Sequence, residues 1–323
     1  MRKPLYPLLL APNLVQKVWG GRKLASVMHK ALPTDAPYGE SWELHDTATV
    51  ENGSLAGQPL SDLLAAYGTD LVGAHNDPAA GFPLLAKLLD ASDWLSVQVH
   101  PNDEQAAQLE GEPRGKTEAW IVLAAEPDAQ LVIGVEPGTN NEVMAQAIRN
   151  GELEDHLVYR QVQAGDVLLL EANTVHAIGP GLLIYEIQQS SDTTYRLYDW
   201  NRMGMDGTPR ELHIEKGVQV SNTEYLPQIT RPAASSSDDV VTLVAHTYFR
   251  TDQHRLNHQN GPHTIETGGT FHALTCTAGD VSVQAAGEVV QLTTGRTVLM
   301  PAALAAFTLS GAGQVLRSWQ PTG

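Results

Sequence analysis

Cysteine is almost absent from this sequence: Cys276 is the only one among 323 residues. An internal disulfide framework and any multi-cysteine zinc site are therefore excluded. Basic residues are also scarce, 20 Lys and Arg against 37 Asp and Glu, a formal net charge of −17. That balance argues against broad nucleic-acid binding and against adhesion to an anionic membrane. It leaves room for a small anionic substrate wherever a few basic residues gather. No apolar run is long enough to span a bilayer. The most apolar early stretch, Pro7 to Pro12, is bracketed by prolines and falls short of a signal-peptide core of about 7–15 residues, so the expected location is the cytoplasm. What the chain does have is a hydrophobic fraction of 42%, enough for a substantial core, and 28 Gly with 19 Pro, a turn-rich count that points to many short strands.

Strand-like runs dominate the pattern. Leu84 to Asp90 is followed by Trp94 to His100, which alternates as a strand should and stops at Pro101. Further runs lie at 118–123, 130–135, 166–170 and 182–187, each bounded by Gly, Pro, Asn or Asp, the punctuation of a sandwich or barrel. Helices are expected to be short and few. Ser61 can cap one over 62–67, Asn102 one running to about 110, and Asn140 or Asn141 one ending at Gly151.

The proline-led, small and polar segment 232–239 reads as a linker. It divides the chain into a first domain, 1–231, and a second β domain, 240–323, with strands expected at 270–277, 281–285, 289–293, 297–300, 306–309 and 314–319. The fold class expected is mainly β.

Among twelve histidines, one group stands apart. Gln98 and His100 are two apart on a strand and so share a face. Glu118 opens another strand after Gly115-Lys116-Thr117, and His176 follows the strand 166–170 in a turn. Two His, one Glu and a neighbouring Gln suit Zn²⁺ or a similar divalent ion with positions left open to substrate. The bland alternative is a hydrogen-bonded polar patch on a sheet face. His254 and His258 are four apart but sit among loop-forming residues, and read as a surface pair. Gly20-Gly21 reads as a tight turn, and Cys276 as an inert buried thiol.

The segment from Gly165 through Glu171-Ala172-Asn173 to His176 resembles the second motif of the cupin superfamily, with Asn173 where glycine is usual; Asn tolerates a left-handed backbone better than most residues. The first cupin motif usually carries His-x-His, whereas here it is Gln98-Val99-His100. That substitution is the rule in one cupin branch, the type I phosphomannose isomerases, and the sequence resembles their compact bacterial form. The resemblance is carried, in the family's order, by Val18-Trp19-Gly20-Gly21, Gly39 to Glu43, Phe82 to Lys87, Ser96 to Asp103, Gly115 to Trp120, Thr174 to Gly179 and Glu186 to Trp200.

The resemblance implies a jelly-roll cupin sandwich or barrel with a smaller, cupin-like C-terminal β domain. It implies interconversion of mannose 6-phosphate and fructose 6-phosphate with one bound Zn²⁺ per chain, other divalent ions remaining open. His100, Glu118 and His176 become the metal ligands, with Gln98 the fourth, and Arg196 the catalytic arginine. Lys87, Lys116 and Glu186 fall around the same pocket.

Chemistry agrees with that assignment. Proton transfer between C2 and C1 of an open-chain sugar passes through an enediolate, whose charge a metal ion and Arg196 can stabilise. The base can be Glu186, Lys116 or a zinc-bound water. Lys87, Lys116 and Arg196 are the cations available to the 6-phosphate, and Ser96, sharing the face of Gln98, can add a hydroxyl. Glu186 can instead serve as a structural partner of Arg196, Lys87 can cap a strand end, and Asp192 and Asp199 read as turn and supporting residues. Rival functions are a cupin isomerase for another aldose phosphate and a metal-bound sugar-phosphate binder without turnover.

Overall fold

A computed structural model describes residues 2–232 and 239–322; positions 233–238 of the expected linker lie outside the described residues. The mainly β expectation holds. A seven-stranded antiparallel sheet runs in the order Ile229–Thr230, Val167–Leu170, Glu118–Ala125, Leu182–Gln189, Leu84–Ala91, Asn13–Gly21 and Tyr38–Leu44. Its central strands are buried on both sides: every residue of Leu84–Ala91 and of Leu182–Gln189 is buried. Two-sided burial explains why these strands read in the sequence as continuous apolar runs rather than alternating ones.

One face of this sheet, carrying Leu84, Ala86, Leu88, Leu183, Tyr185 and Ile187, packs with Leu243, Ala273, Leu299 and Leu316 of the C-terminal sheet and with Phe249 in the turn before its strand Arg250–Leu256. On the other face, Leu89, Trp120, Val122 and Ile184 pack with Leu131, Ile133 and Val158 of a three-stranded sheet, Ala177–Ile178, Gln130–Val135 and Leu157–Gln161. Beside this lies a two-stranded sheet, Val97–Val99 with Tyr195–Tyr198.

The C-terminal sheet has nine strands, and its membership crosses the expected division of the chain. Leu8–Ala11 pairs with Thr297–Met300 on one side and with Thr49–Val50 on the other. Two expected strand pairs are continuous: His272–Ala285 is one 14-residue strand, and so is Ala306–Trp319. The segments that suggested breaks, 278–280 and 310–313, fall within one continuous register between these two strands, and a single bulge lies just before them between Cys276 and Ala278.

Helices occur where expected, with one difference in cause. Asn102 and Gln105 form a reciprocal capping box on Asp103–Glu110, and Asn140 caps Asn141–Asn150. The helix Leu60–Tyr67 instead starts behind Pro59, and Ser61 does not cap it; its amide donates to the Asp46 carbonyl. Short helices at Lys23–Ser26, Thr69–Val72 and Ile214–Val220 were not anticipated.

Gly20-Gly21 is not a turn. It ends the strand Asn13–Gly21, where a Cβ on Gly20 would come within 2.5 Å of the Tyr38 and Gly39 backbone, so close strand approach is what needs glycine. His254 is not a surface residue either. It lies in the strand Arg250–Leu256, 2% exposed, with Nδ1 3.4 Å from His263 Nδ1. Cys276 is buried as expected, and burial pushes its thiol up to about 12.

Candidate active site

Three neighbouring strands aim charged side chains at one face of the seven-stranded sheet. Lys87 stands opposite Glu186 in the antiparallel register, Glu186 opposite Trp120, and Gln188 opposite Glu118. Because side chains alternate along a strand, Lys87, Glu186 and Glu118 leave the same face, away from the C-terminal sheet. Against this face lies Val97–Val99, flanked on one edge by His176 and on the other by Arg196. Gln98 exchanges backbone hydrogen bonds with His176 at 3.0 and 2.9 Å and sits in register with Arg196.

Local sequence sets these positions. Asn173 adopts the left-handed conformation (φ 74°) anticipated for it. Its backbone N–H donates to the His100 carbonyl at 2.8 Å, tying the loop of one histidine to the strand of the other. Gly115 allows the approach of the Lys116-Thr117-Glu118 segment: a Cβ there would come within 2.4 Å of the Asn102 carbonyl carbon.

His100, Glu118 and His176 are each at most 1% exposed, and their ligand atoms lie within 4.8 Å of one another. Both imidazoles are oriented alike: His100 Nδ1 is 2.9 Å from the Thr193 carbonyl and His176 Nδ1 2.8 Å from that of Thr174. A carbonyl can only accept, so each Nδ1 carries the proton and each Nε2 turns its lone pair inward. Burial, reinforced by Lys116, holds His100 well below the ordinary histidine range and His176 down to about 4, so both rings are neutral at pH 7. Neither carboxylate oxygen of Glu118 has a hydrogen-bond partner among the described residues. Oε2 forms an ion pair with Lys116 Nζ at 2.8 Å, and Oε1 stands 3.4 Å from the unprotonated Nε2 of His176, two electron-rich atoms with no proton between them.

Two inward imidazole lone pairs and an unsatisfied buried carboxylate form a donor set that a divalent ion fits, and His100, Glu118 and His176 could hold one. Gln98 Nε2 stands 3.2 Å from His176 Nε2 and 3.5 Å from His100 Nε2, placing its amide at the same centre.

A cavity of about 260 Å³ opens over this cluster, with Gln98, Ser96, Lys116, Lys87, Glu186 and Arg196 all in its wall. Every site residue singled out in the sequence is therefore either in the three-ligand cluster or in this wall. Lys87 lies in mid-strand rather than capping a strand end, and the nearest cation to Glu186 is Lys87, 3.4 Å away, not Arg196. Trp120 Nε1 donates to Glu186 Oε2 at 3.0 Å. Burial pushes Lys87 down, but Glu186, Glu40, Asp192 and Glu118 together outweigh it and raise Lys87 above its ordinary value.

Sequence reasoning missed Lys17 and Arg210, which line the same cavity. Together with Trp19 and Arg196 they also line an adjoining cavity of about 410 Å³, so they stand where the two spaces meet. Asp199, buried, holds Arg210 through Nε at 2.7 Å and Arg202 at 2.9 Å. The excess of arginine at 196, 202 and 210 was the available signal in the sequence.

Similarity to known proteins follows the same outline. Residues 8–119 match the family model for phosphomannose isomerase type I, catalytic domain, and residues 239–320 that for the mannose-6-phosphate isomerase cupin domain. The chain is 34% identical over 318 residues to a mannose-6-phosphate isomerase from Streptococcus mutans, covering 97% of this chain and 98% of the relative. It is 33% identical, with the same coverage, to the mannose-6-phosphate isomerase ManA of Bacillus subtilis. The crystal structure of a mannose 6-phosphate isomerase from Bacillus subtilis superposes with a TM-score of 0.86 at 28% identity, over 97% of this chain and 99% of that one.

Proposed function

The chain belongs to the type I phosphomannose isomerases, and from that premise we propose how its residues convert mannose 6-phosphate to fructose 6-phosphate. The enzyme is an aldose–ketose isomerase acting on a sugar phosphate. The observation that carries the assignment of roles is the convergence of a buried His100–Glu118–His176 donor set with Lys87, Lys116, Glu186 and Arg196 on one cavity.

Zn²⁺ held by His100, Glu118 and His176, with Gln98 as fourth donor if its amide turns to present Oε1 in place of Nε2, would act as a Lewis acid on the sugar's carbonyl and neighbouring hydroxyl oxygens. The remaining work falls to the chain. Lys116, already within 3.2 Å of His100 Nε2 and 2.8 Å of Glu118 Oε2, is placed as a donor beside those sugar oxygens. An ammonium that donates to His100 Nε2 and forms an ion pair with Glu118 has no lone pair with which to accept a proton. Glu186, in the cavity wall, is the better base: Trp120 fixes Oε2, and Oε1 lies 3.4 Å from Lys87 Nζ with no closer donor among the described residues. It takes the proton from C2 and returns it to C1 on the same face of the enediolate, while the hydroxyl proton passes from O2 to O1. Lys87 and Arg196 stabilise the negative charge that develops, in a site where burial makes each charge count for more.

The phosphate end is assigned to the junction of the two cavities. Arg210 and Lys17 converge there, half-buried and held by Asp199 and Glu40, while Lys87 and Lys116 lie buried against Glu186 and Glu118. Ser96 supplies a hydroxyl along the wall.

Every residue given a role lies before position 211. We therefore take 1–231 as the catalytic part and 240–323 as a support domain with its own core around Leu274, Val298 and Val315. No helix among the described residues is long and apolar enough to cross a membrane. We propose the cytoplasm as the location on a separate ground: a doubly charged sugar phosphate does not cross a bilayer unaided and is consumed where it is made.

A coupled spectrophotometric assay tests the reading on protein as purified, after chelation and after zinc is restored, with Arg196→Ala as control. Turnover lost with the metal, regained with zinc and crippled by Arg196→Ala is expected. A folded, zinc-loaded protein without turnover would overturn it in favour of a binder or an isomerase for another aldose phosphate.

A further inference from the structure

Arg196 is gripped by the segment that leads into the helix Ile214–Val220. Its backbone N–H donates to His213 Nδ1 at 3.1 Å, and the His213 N–H returns a bond to the Arg196 carbonyl at 2.7 Å. The guanidinium Nη1 donates to the Glu211 carbonyl at 2.8 Å. On its other edge Arg196 pairs with Gln98, and the ladder becomes irregular immediately afterwards, between Arg196 and Tyr198. His213 thus completes the free edge of the strand at the residue whose side chain enters the cavity.

The choice of residue is informative. His213 occupies the N-cap of its helix, a place where Ser, Thr, Asp or Asn ordinarily accepts from the helix's own amides. Its side chain makes no such cap bond; its acceptor is spent on Arg196 instead. From this geometry we infer that His213 is a positioning residue for Arg196, an imidazole acceptor that fixes the arginine's backbone and so aims its guanidinium into the cavity. The inference rests on the role given to Arg196 above.

Its chemistry makes the device sensitive to acid. With Nδ1 accepting, the neutral ring carries its proton on Nε2. A second proton would go to Nδ1, place two N–H groups head to head, and put a positive charge beside the guanidinium. The charged groups facing the ring are Arg196 on its strand, Glu211 on the preceding segment, Lys216 on its helix and Glu110 from the helix Asp103–Glu110, with the Tyr195 ring 6.3 Å away. Burial first, then Arg196 and Lys216, lower the His213 pKa against the opposing pull of Glu211 and Glu110, so the ring is neutral at pH 7.

The test compares wild type, His213→Ala, His213→Asn and Arg196→Ala in kcat and KM across pH, with melting temperature and bound metal measured for each. Asn retains an acceptor but cannot titrate. Displacing a catalytic group by about 1 Å can cost on the order of 100-fold, so His213→Ala should lower kcat about 10- to 100-fold with metal content unchanged. His213→Asn should recover most of it, and should keep a larger fraction of its neutral-pH kcat in acid than wild type does. In parallel, the Arg196 backbone amide resonance should titrate with pH in wild type and stay flat in His213→Asn, a readout independent of turnover.

Should His213→Ala fail to fold, the pH profile and amide titration of His213→Asn decide the matter. Equal loss in the Ala and Asn variants, identical acid limbs in wild type and Asn, or an Arg196 amide blind to His213 would each overturn the inference. Wild-type protein without isomerase activity would overturn the functional reading instead. An active Arg196→Ala would remove the role on which this inference rests and overturn it too.

Discussion

Lys87 and Glu186 face each other across adjacent antiparallel strands, Nζ 3.4 Å from Oε1, at 5% and 3% exposure, both at the wall of the cavity. A buried pair in such a place serves poorly as a stability device, because desolvating two charges offsets most of their attraction. It suits a site in which one member must handle a proton while the other holds the local charge balance.

Replacing Glu186 by Gln keeps shape and the Trp120 contact but removes the carboxylate proposed as the base. We expect kcat to fall by about 100- to 10,000-fold, the range for a general acid–base group, with bound metal unchanged. Lys87→Met should also lower kcat, and the double variant should lose less than the product of the two single losses, since contacting residues couple. Steady-state kinetics on the four proteins decides this; full multiplicativity would separate the two residues.

Arg210→Ala tests the phosphate end. A charge-assisted hydrogen bond contributes about 1.5–3 kcal/mol, or roughly 10- to 100-fold in affinity. KM for mannose 6-phosphate should rise by that factor, with a smaller change in kcat. Asp199→Asn, which loosens the carboxylate that holds Arg210 and Arg202, should move KM the same way by a lesser amount. An unchanged KM in Arg210→Ala would place the phosphate elsewhere.

Glu43 joins the two ends of the chain. Fully buried, it accepts from Lys30 at 2.5 Å, Ser41 at 2.6 Å and Thr297 at 2.9 Å, the last from the C-terminal sheet. Glu43→Ala leaves Lys30 as a buried, unpaired charge, and the loss of stability should be about 3–5 kcal/mol. Combining Lys30→Met with Glu43→Leu should recover part of it. Denaturant titration measures both, and a loss under about 1 kcal/mol, the scale of an exposed ion pair, would contradict the burial argument.

His254 and His272 make the C-terminal sheet sensitive to acid. Burial, followed by Arg317, lowers His254 to about 4 and His272 to about 3 against an ordinary 6.5. His272 Nε2 donates to the Thr267 carbonyl, which leaves Nδ1 without a partner among the described residues for a second proton. Folded values below the unfolded one mean that the stability contributed is present above pH 6.5 and lost as pH falls towards 4 and then 3. The melting temperature should drop across that window, and His254→Gln should drop less steeply than wild type. Parallel curves would show that these rings do not govern acid unfolding.

Much of the site was legible without coordinates, because it depends on local rules. Gln98 and His100 share a face through the two-residue period of a strand, Asn173 reaches a left-handed backbone because of what it is, and Asn102 and Asn140 announce their helices. The order and identity of the motifs from Val18 to Trp200 pointed to the family and its reaction class. The tertiary structure decided what depends on register and on contacts between distant segments: that Glu186 faces Lys87 rather than Arg196, and that Leu8–Ala11 joins the C-terminal sheet. It also brought Lys17 and Arg210 to the cavity mouth and buried His254. Strand partners are chosen by burial of whole faces, a property of the assembled sheets. The cluster of arginines at 196, 202 and 210 hints at Arg210, but no local pattern around Lys17 or His254 carries that information.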